Sequence, residues 1–203
     1  MLRITGPRVL TAVLALIYVM FVWWYGGAGK PLTQEEAAHY FALLDAREHS
    51  HPNPSLRAAM EELARNDDGR EFLMVNLIND PENMEAAAAY NRLIIPELLK
   101  RGGHPVFIAA PIGRFIQPEG LDGWDRVAIV RYRSFRDLLD MITSDRAQEI
   151  EELKAGSVSK THVFPAHIEF SFIWVRFIVA ALLIAIGTAL HLVLRRFGFY
   201  SPR

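Results

Sequence analysis

Residues 71–78 read Glu-Phe-Leu-Met-Val-Asn-Leu-Ile, a short apolar run that decides the fold of the chain. The run is long enough for a strand and too short for a helix. Runs of the same character follow at residues 105–116, 126–132 and 158–164, with helical patterns after the first and the third run. The predicted order is therefore β-α-β-β-α-β. This is the split βαβ order of an α+β, ferredoxin-like domain, which places helices on one face of a four-stranded antiparallel sheet.

Capping and turn residues delimit the predicted helices. Asp80-Pro81 predicts the start of the helix after the first strand, and Gly102-Gly103 predicts its end. Ser134 with Asp137 predicts the N-terminal cap of the helix after the third strand. Before the sheet, Thr33-Gln34-Glu35-Glu36 has the form of a capping box and introduces two amphipathic helices.

Two apolar segments flank this domain. Ile173–Leu194 contains no acid and would be about 33 Å long as a helix, which is enough to cross a hydrocarbon core of roughly 30 Å. Val9–Tyr25 would be about 26 Å long, and it ends in Trp23-Trp24-Tyr25, which is typical of an interfacial aromatic belt. A cleavable signal peptide is the alternative for this first segment. The sequence thus predicts two membrane spans.

The charges that flank these spans predict the orientation. Arginines occur before the first span, at Arg3 and Arg8, and after the second, at Arg195, Arg196 and Arg203. The flanks between the spans carry fewer positive charges and several acids: Lys30, Glu35, Glu36, Lys160 and Glu169. The positive-inside rule then predicts a protein of the inner (plasma) membrane with both termini in the cytoplasm. Lys30–Glu169 would lie on the other side of that membrane, in the periplasm of a bacterium. The predicted division is a tail and first span at 1–29, a helical extension at 30–70, the ferredoxin-like domain at 71–166, and the second span with a basic tail at 167–203.

Composition excludes several classes of function. The 203-residue chain has a formal net charge of −1, so it lacks the basic footprint of a nucleic-acid-binding protein. The absence of cysteine excludes disulfides, thiolate metal sites and a cysteine nucleophile. His49-Ser50-His51 offers two imidazoles but has no third ligand nearby in the sequence. The sequence contains no phosphate loop, nucleophile elbow or zinc-protease helix, so we predict no cofactor and no metal.

Several short motifs between Phe72 and Pro165 carry a family resemblance. In chain order they are Phe72-Leu-Met-Val-Asn-Leu77, Tyr90, Gly102-Gly103, Gly113, Trp124-Asp125, Val127–Tyr132, Ser134 and Asp140-Met141. Together they resemble the family called domain of unknown function 1330, in the dimeric α/β-barrel superfamily. The resemblance implies a ferredoxin-like fold and a dimer whose two sheets form a barrel, and it implies no activity. Distant relatives include cofactor-free monooxygenases, isomerases and haem enzymes.

A few polar and aromatic residues of the sheet domain could contact a ligand: Asn76, Tyr90, His104, Trp124 and Arg131. Asn76 orients a ligand if it faces the barrel, or else bonds a neighbouring strand or loop. Tyr90 and Trp124 line the same cavity or belong to the core. Arg131 binds a carboxylate or lies at an exposed edge. His104 could act as a base, although no acid accompanies it in the sequence.

The functional prediction is a membrane protein without catalysis. It would be an accessory or interaction subunit of a larger membrane complex, or a binder of a small apolar ligand. We expect the lipid bilayer and a second copy of the chain as partners. Within the second span, Ala181, Ala185 and Ala189 recur every four residues, which favours close helix packing or reflects an alanine-rich composition. The alternative is a cofactor-free oxygenase or isomerase acting on a hydrophobic substrate from the membrane.

Overall fold

The computed structural model describes residues 16, 19–48, 54–113, 116, 123–170, 181, 185, 188–189, 192–193 and 196–197. The chain divides into two compact units, Met1–His167 and Ile168–Arg203. The first unit holds the α+β domain. In the second unit, the three alanines of the predicted packing stripe, Ala181, Ala185 and Ala189, are helical and exposed.

Four strands form one antiparallel sheet in the order β2-β3-β1-β4. The strands are β1 (Phe72–Asn79), β2 (His104–Ala109), β3 (Arg126–Tyr132) and β4 (Lys160–Ala166). The α+β class and the antiparallel four-stranded sheet predicted from the sequence are therefore confirmed.

Two strand boundaries differ from the prediction. β2 ends at Ala109 instead of continuing to residue 116, because Pro111 has no N–H to donate to a continuing ladder. β4 covers residues 160–166 instead of 158–164. Pro165 is accommodated in it because β4 is an edge strand, bonded only to β1.

Helices precede the sheet and connect its strands. They are α1, described over residues 19–26, α2 (Gln34–Glu48), α3 (Pro54–Arg65), α4 (Met84–Lys100), α5 (Phe135–Ile142) and α6 (Ala147–Gly156). The capping box of α2 forms as predicted, because the Glu36 N–H donates to Thr33 Oγ1 and the Thr33 N–H donates to the Glu36 carboxylate. Ser134 caps α5 by accepting from the Asp137 N–H.

The predicted start of α4 at Asp80-Pro81 is wrong. The helix begins at Met84, and Asn83 is its N-cap, accepting from the Glu85 N–H at 2.8 Å. The Asp80 carboxylate instead accepts from the Arg126 guanidinium across the sheet end. The Asp80 side chain therefore binds Arg126 at the end of β1 and does not cap a helix.

The hydrophobic core lies between the helices and one face of the sheet. Phe72 is buried on that face, and its ring stacks on Tyr132 with 5.3 Å between centroids. Leu139 of α5 is 0% exposed at the centre of the packing. The other buried apolar side chains come mostly from the helices: Leu44, Met60, Leu93, Ile94, Leu98, Phe135, Leu138, Met141 and Ile150.

A buried carboxylate connects three helices. Glu97 of α4 is 3% exposed, and it accepts hydrogen bonds from Lys100 and, at 2.8 Å, from Arg101. Arg101 also donates to Asp140 of α5, and Arg146, just before α6, lies 3.7 Å from Glu97. The hydrogen bonds from Lys100 and Arg101 lower the pKa of Glu97.

Among the described residues, no helix has both the length and the apolar character that a membrane span requires. Most of Val9–Tyr25 and of Ile173–Leu194 lies outside the described residues.

Candidate functional site at the end of the open sheet face

The sheet face opposite the core, here called the open face, carries an apolar row across all four strands. Directly paired residues of antiparallel strands point to the same side of a sheet. The pairing places one row on the open face, made of Phe107, Ile129, Val75 and Phe164. Phe107 and Phe164, at the two edges, are each 40% exposed. The open face of a single chain therefore presents aromatic surface on both sides of an aliphatic centre.

One end of the open face is polar, and there the structure brings together two of the predicted site residues. His104 of β2 pairs directly with Arg131 of β3, so their side chains lie side by side on this face. Leu73 of β1 and Ala166 of β4 complete the same row. Tyr25, the end of α1, lies over this row: its ring stacks on the His104 ring and lies under the Arg131 guanidinium at 3.7 Å.

Arg131 is buried, 4% exposed, and each part of its guanidinium has an acceptor. Nε donates to the Glu71 carboxylate at 2.7 Å, Nη1 to the Gly102 carbonyl at 2.6 Å, and Nη2 to the Tyr25 carbonyl at 2.9 Å. A buried charge is tolerated when it is paired and hydrogen-bonded in this way. Arg131 therefore joins the start of β1, the end of α4 and the end of α1.

A glycine pair makes room for this arrangement. Gly102 has a φ of +70°, a left-handed conformation that suits the turn after α4. A Cβ at Gly103 would lie 2.8 Å from the Arg131 carbonyl oxygen, a distance too short for a side chain. The pair lets β2 begin immediately beside Arg131 and so sets the position of His104.

A second arginine binds the adjacent carbonyl of α1. Arg133 donates from Nη1 to the Trp24 carbonyl at 2.8 Å, and Asp137 accepts from its Nε at 2.8 Å. The last carbonyls of a helix have no partners within the helix and need donors from elsewhere. Arg131 and Arg133 supply two of these donors, and a positive charge at this end also complements the helix dipole.

The hydrogen bonds of His104 define which of its ring nitrogens carries the proton. Nδ1 lies 2.9 Å from the Pro105 carbonyl oxygen, which can only accept, so Nδ1 carries the proton. Nε2 then accepts from the Tyr25 hydroxyl at 2.7 Å. The phenol and the imidazole form an oriented donor–acceptor pair, which is an element of acid–base chemistry and equally an anchor for α1.

The remaining predicted site residues lie elsewhere. Asn76 is buried on the helix-facing side of β1, where its amide donates to the Met74 and Ala128 carbonyls at 3.0 and 3.2 Å. Tyr90 packs against the core, and burial raises its pKa to about 12. Lys154 lies over the Tyr90 ring at 5.1 Å, and burial lowers the pKa of that lysine. Trp124 lies at the opposite end of the sheet, under the Lys160 ammonium at 5.4 Å.

The other histidines are dispersed. His162 lies on the open face with its ring edge against Phe164, and His167 lies 3.9 Å from Asp68. His49, His51 and His191 lie outside the described residues. Within the part of the chain that the structure describes, no three His, Asp or Glu side chains form a group that could hold a metal ion.

Sequence reasoning missed the role of Tyr25, Arg133 and Glu71. Tyr25 was assigned to an interfacial aromatic belt, and its partners His104 and Arg131 are 79 and 106 residues away. The contacts from Arg131 and Arg133 to α1 are made to backbone carbonyls, which every residue has, so side-chain identity carries no signal of them. Glu71 lies 60 residues from its partner Arg131, beyond the reach of a local pattern.

Comparison with known proteins identifies the fold alone. No family model matches the chain, and no curated protein matches it. The chain is similar to the crystal structure of the RPA0582 protein, of unknown function, from Rhodopseudomonas palustris, with 22% identity and a TM-score of 0.51 over 59% of this chain and 96% of that one. The chain is also similar to the crystal structure of the methylated RPA0582 protein, with 22% identity and a TM-score of 0.51 over 60% of this chain and 95% of that one. These values indicate a shared architecture.

Proposed function

We propose that the chain is a two-span protein of the inner (plasma) membrane that displays a dimerising ferredoxin-like domain outside the cytoplasm. Both termini would lie in the cytoplasm. The domain would act without catalysis, as an accessory subunit of a membrane assembly or as a binder of a small apolar ligand. We also propose that this domain belongs to the family called domain of unknown function 1330, which its sequence resembles.

One observation carries the membrane assignment: both connections to the predicted spans are at the same end of the sheet. Tyr25, at the end of the first predicted span, lies over Arg131. Ala166, at the end of β4 and shortly before the second predicted span, is in the same cross-strand row as Arg131. A single bilayer next to this end of the sheet could therefore hold both predicted spans.

The surface of α1 supports this assignment. Val19 and Met20 are 62% and 61% exposed, and Phe21 and Val22 are each 48% exposed. Contiguous exposed apolar surface is unfavourable in water and indicates a membrane or protein contact. Among the described residues of α1, Trp24 and Tyr25 at its end make the hydrogen bonds to the sheet domain, through their carbonyls and the Tyr25 hydroxyl.

The open face supports the dimer. Its apolar row ends in Phe107 and Phe164, which a second copy would cover if the two open faces pack together, as the family resemblance implies. We expect the full chain in detergent to have the mass of a dimer by light scattering. Phe107→Lys should dissociate it, whereas Ile108→Lys, on the other face of the same strand, should not. Equal behaviour of the two variants would count against open-face pairing.

Orientation is tested with a reporter that is active only outside the cytoplasm. A fusion after Ser157 should be active, and a fusion after Arg203 should be silent. A silent fusion after Ser157 would overturn the orientation.

The alternative, a cofactor-free oxygenase or isomerase, is favoured by one observation, the 2.7 Å hydrogen bond between Tyr25 and His104 on the open face. This alternative predicts that His104→Ala eliminates the conversion of a phenolic or quinone-like substrate. His162→Ala, on the same face but without a hydroxyl partner among the described residues, would leave that conversion intact. Absence of any conversion by the unaltered protein favours the non-catalytic proposal.

A further inference from the structure

A groove of about 520 Å³ separates α3 from the end of β4. Its floor includes Phe72 and Phe135, which are 6% and 3% exposed. Ala59 and Leu63 of α3 form one wall, and residues 163–166 of β4 form the other. A volume of this size with a mainly apolar lining is typical of sites for small organic ligands.

Most of the groove lies on the side of the sheet opposite the surface assigned to the dimer, although Phe164 and Ala166 of β4 line the groove and also belong to rows of the open face. Phe72 belongs to the helix-facing side of β1 and Val75 to the open face, because side chains alternate along a strand. A second copy packed on the open face would therefore leave accessible the part of the groove that Phe72, Phe135 and α3 line. The groove is also at the end of the sheet where β1 begins and β4 ends, the end that the proposed function directs towards the bilayer.

The rim of the groove carries an excess of negative charge. Glu62, Asp67 and Asp68 contribute three carboxylates, against the guanidinium of Arg70 and the imidazole of His167. Asp67 accepts from the backbone N–H groups of Leu32 at 2.6 Å and Gly69 at 3.0 Å. Asp68 accepts from Arg70 at 2.6 Å.

Glu62 differs from these neighbours. Within the described chain its carboxylate makes no ion pair and accepts no hydrogen bond, and Glu62 is exposed at the edge of an apolar cavity. A free carboxylate beside an apolar groove is complementary to a ligand that has an apolar body and a positive head.

We propose that the groove between α3 and β4 binds an amphipathic amine, with its apolar part over Phe72 and Phe135 and its ammonium group at Glu62. The inference rests on the proposed function only for the source of the ligand, which would reach the groove from the adjacent bilayer. The groove and its charge do not depend on the topology of the chain.

The test uses three water-soluble probes with one body and different heads: 4-phenylbutylamine, 4-phenylbutanol and 4-phenylbutanoate. Each is titrated into the full chain in detergent by isothermal calorimetry. We expect saturable binding of the amine at least about tenfold tighter than that of the carboxylate, since the rim attracts one head and repels the other. Equal binding of amine and carboxylate, or no binding of the amine, would overturn the proposal.

Substitutions locate the site. Ala59→Trp fills the groove from an exposed position of α3 and should abolish binding of the amine. Ala58→Trp makes the same change at an exposed position that does not line the groove, and binding should persist. Glu62→Gln should reduce amine affinity to that of the alcohol and leave the alcohol unchanged. Undiminished amine binding in Ala59→Trp would place the site elsewhere and refute the proposal.

Two further outcomes separate this inference from the proposed function. If Ala59→Trp changes the mass of the particle by light scattering and not the affinity for the amine, a second copy of the chain occupies the groove and the ligand proposal is wrong. A silent reporter after Ser157 would contradict the topology while leaving a positive amine titration intact.

Discussion

Replacing Arg131 by methionine should loosen the junction between α1 and the sheet. Methionine has a similar reach but no donor, so the Gly102 and Tyr25 carbonyls lose the hydrogen bonds they receive at 2.6 and 2.9 Å. Glu71 is 45% exposed and can return to water. Two carbonyls left without donors each destabilise the fold by about 1–3 kcal/mol, and the apolar packing of methionine offsets part of this. We therefore expect the free energy of unfolding to fall by roughly 2–4 kcal/mol.

Arg126→Met is the matched control, because it makes the same change in the same strand. Arg126 pairs with Asp80, but its side chain is 40% exposed. Exposed ion pairs contribute about 0–1 kcal/mol to stability, so the free energy of unfolding of this variant should be close to that of the unaltered protein. The contrast between the variants therefore isolates the buried guanidinium.

The assay is guanidinium-induced unfolding of the full chain in detergent, followed by far-ultraviolet circular dichroism. Amide hydrogen exchange over residues 24–28 gives a second readout, and it should accelerate in Arg131→Met and not in Arg126→Met. If the two variants lose the same free energy of unfolding, or exchange at residues 24–28 does not change, Arg131 does not hold the junction and the reasoning fails.

Substitutions at three further positions test the core, the buried ion cluster and a helix cap. Leu139→Ala should lower the free energy of unfolding by about 2–5 kcal/mol, because Leu139 is 0% exposed; a loss below about 1 kcal/mol would contradict that packing. Hydrogen bonds from Lys100 and Arg101 lower the pKa of Glu97, so its contribution is complete above its ordinary pKa and is lost as the pH falls through the lowered value. Unfolding free energies of the unaltered protein and Glu97→Gln should therefore differ at neutral pH and converge in acid; a constant difference would refute the linkage. Ser134→Ala should cost about 0.5–2 kcal/mol in the same unfolding assay, whereas Ser134→Asp, which can also cap, should cost less.

Local patterns predicted the sheet because each strand is a short apolar run with its own boundaries. They also predicted the caps of α2 and α5, since the partners Thr33 and Glu36, and Ser134 and Asp137, are only three residues apart. Where a residue had both a local and a distant partner available, the prediction failed. Asp80 looked like a helix cap but is held by Arg126, 46 residues away.

The candidate site was harder to predict than the fold. Alternation along β1 places Asn76 on the same side as Phe72 and Met74, but the sequence of the strand does not encode which of its two sides meets the helices. His104 and Arg131 were predicted as separate candidates, and only the pairing of β2 with β3 brings them together. The groove between α3 and β4 arises from the packing of elements distant in sequence, so no single motif marks it.

The central claim, that the sheet end bearing Tyr25 and Ala166 faces a bilayer, is tested most directly by depth-dependent quenching. The chain has no cysteine, so single cysteines can be labelled without background. Arg70→Cys marks the residues before β1 and Glu82→Cys marks those after it, and the eight residues of β1 separate them by about 26 Å. In nanodiscs whose headgroups carry nitroxides, a fluorophore at residue 70 should be quenched strongly and one at residue 82 weakly. Equal quenching, or stronger quenching at residue 82, would contradict the account.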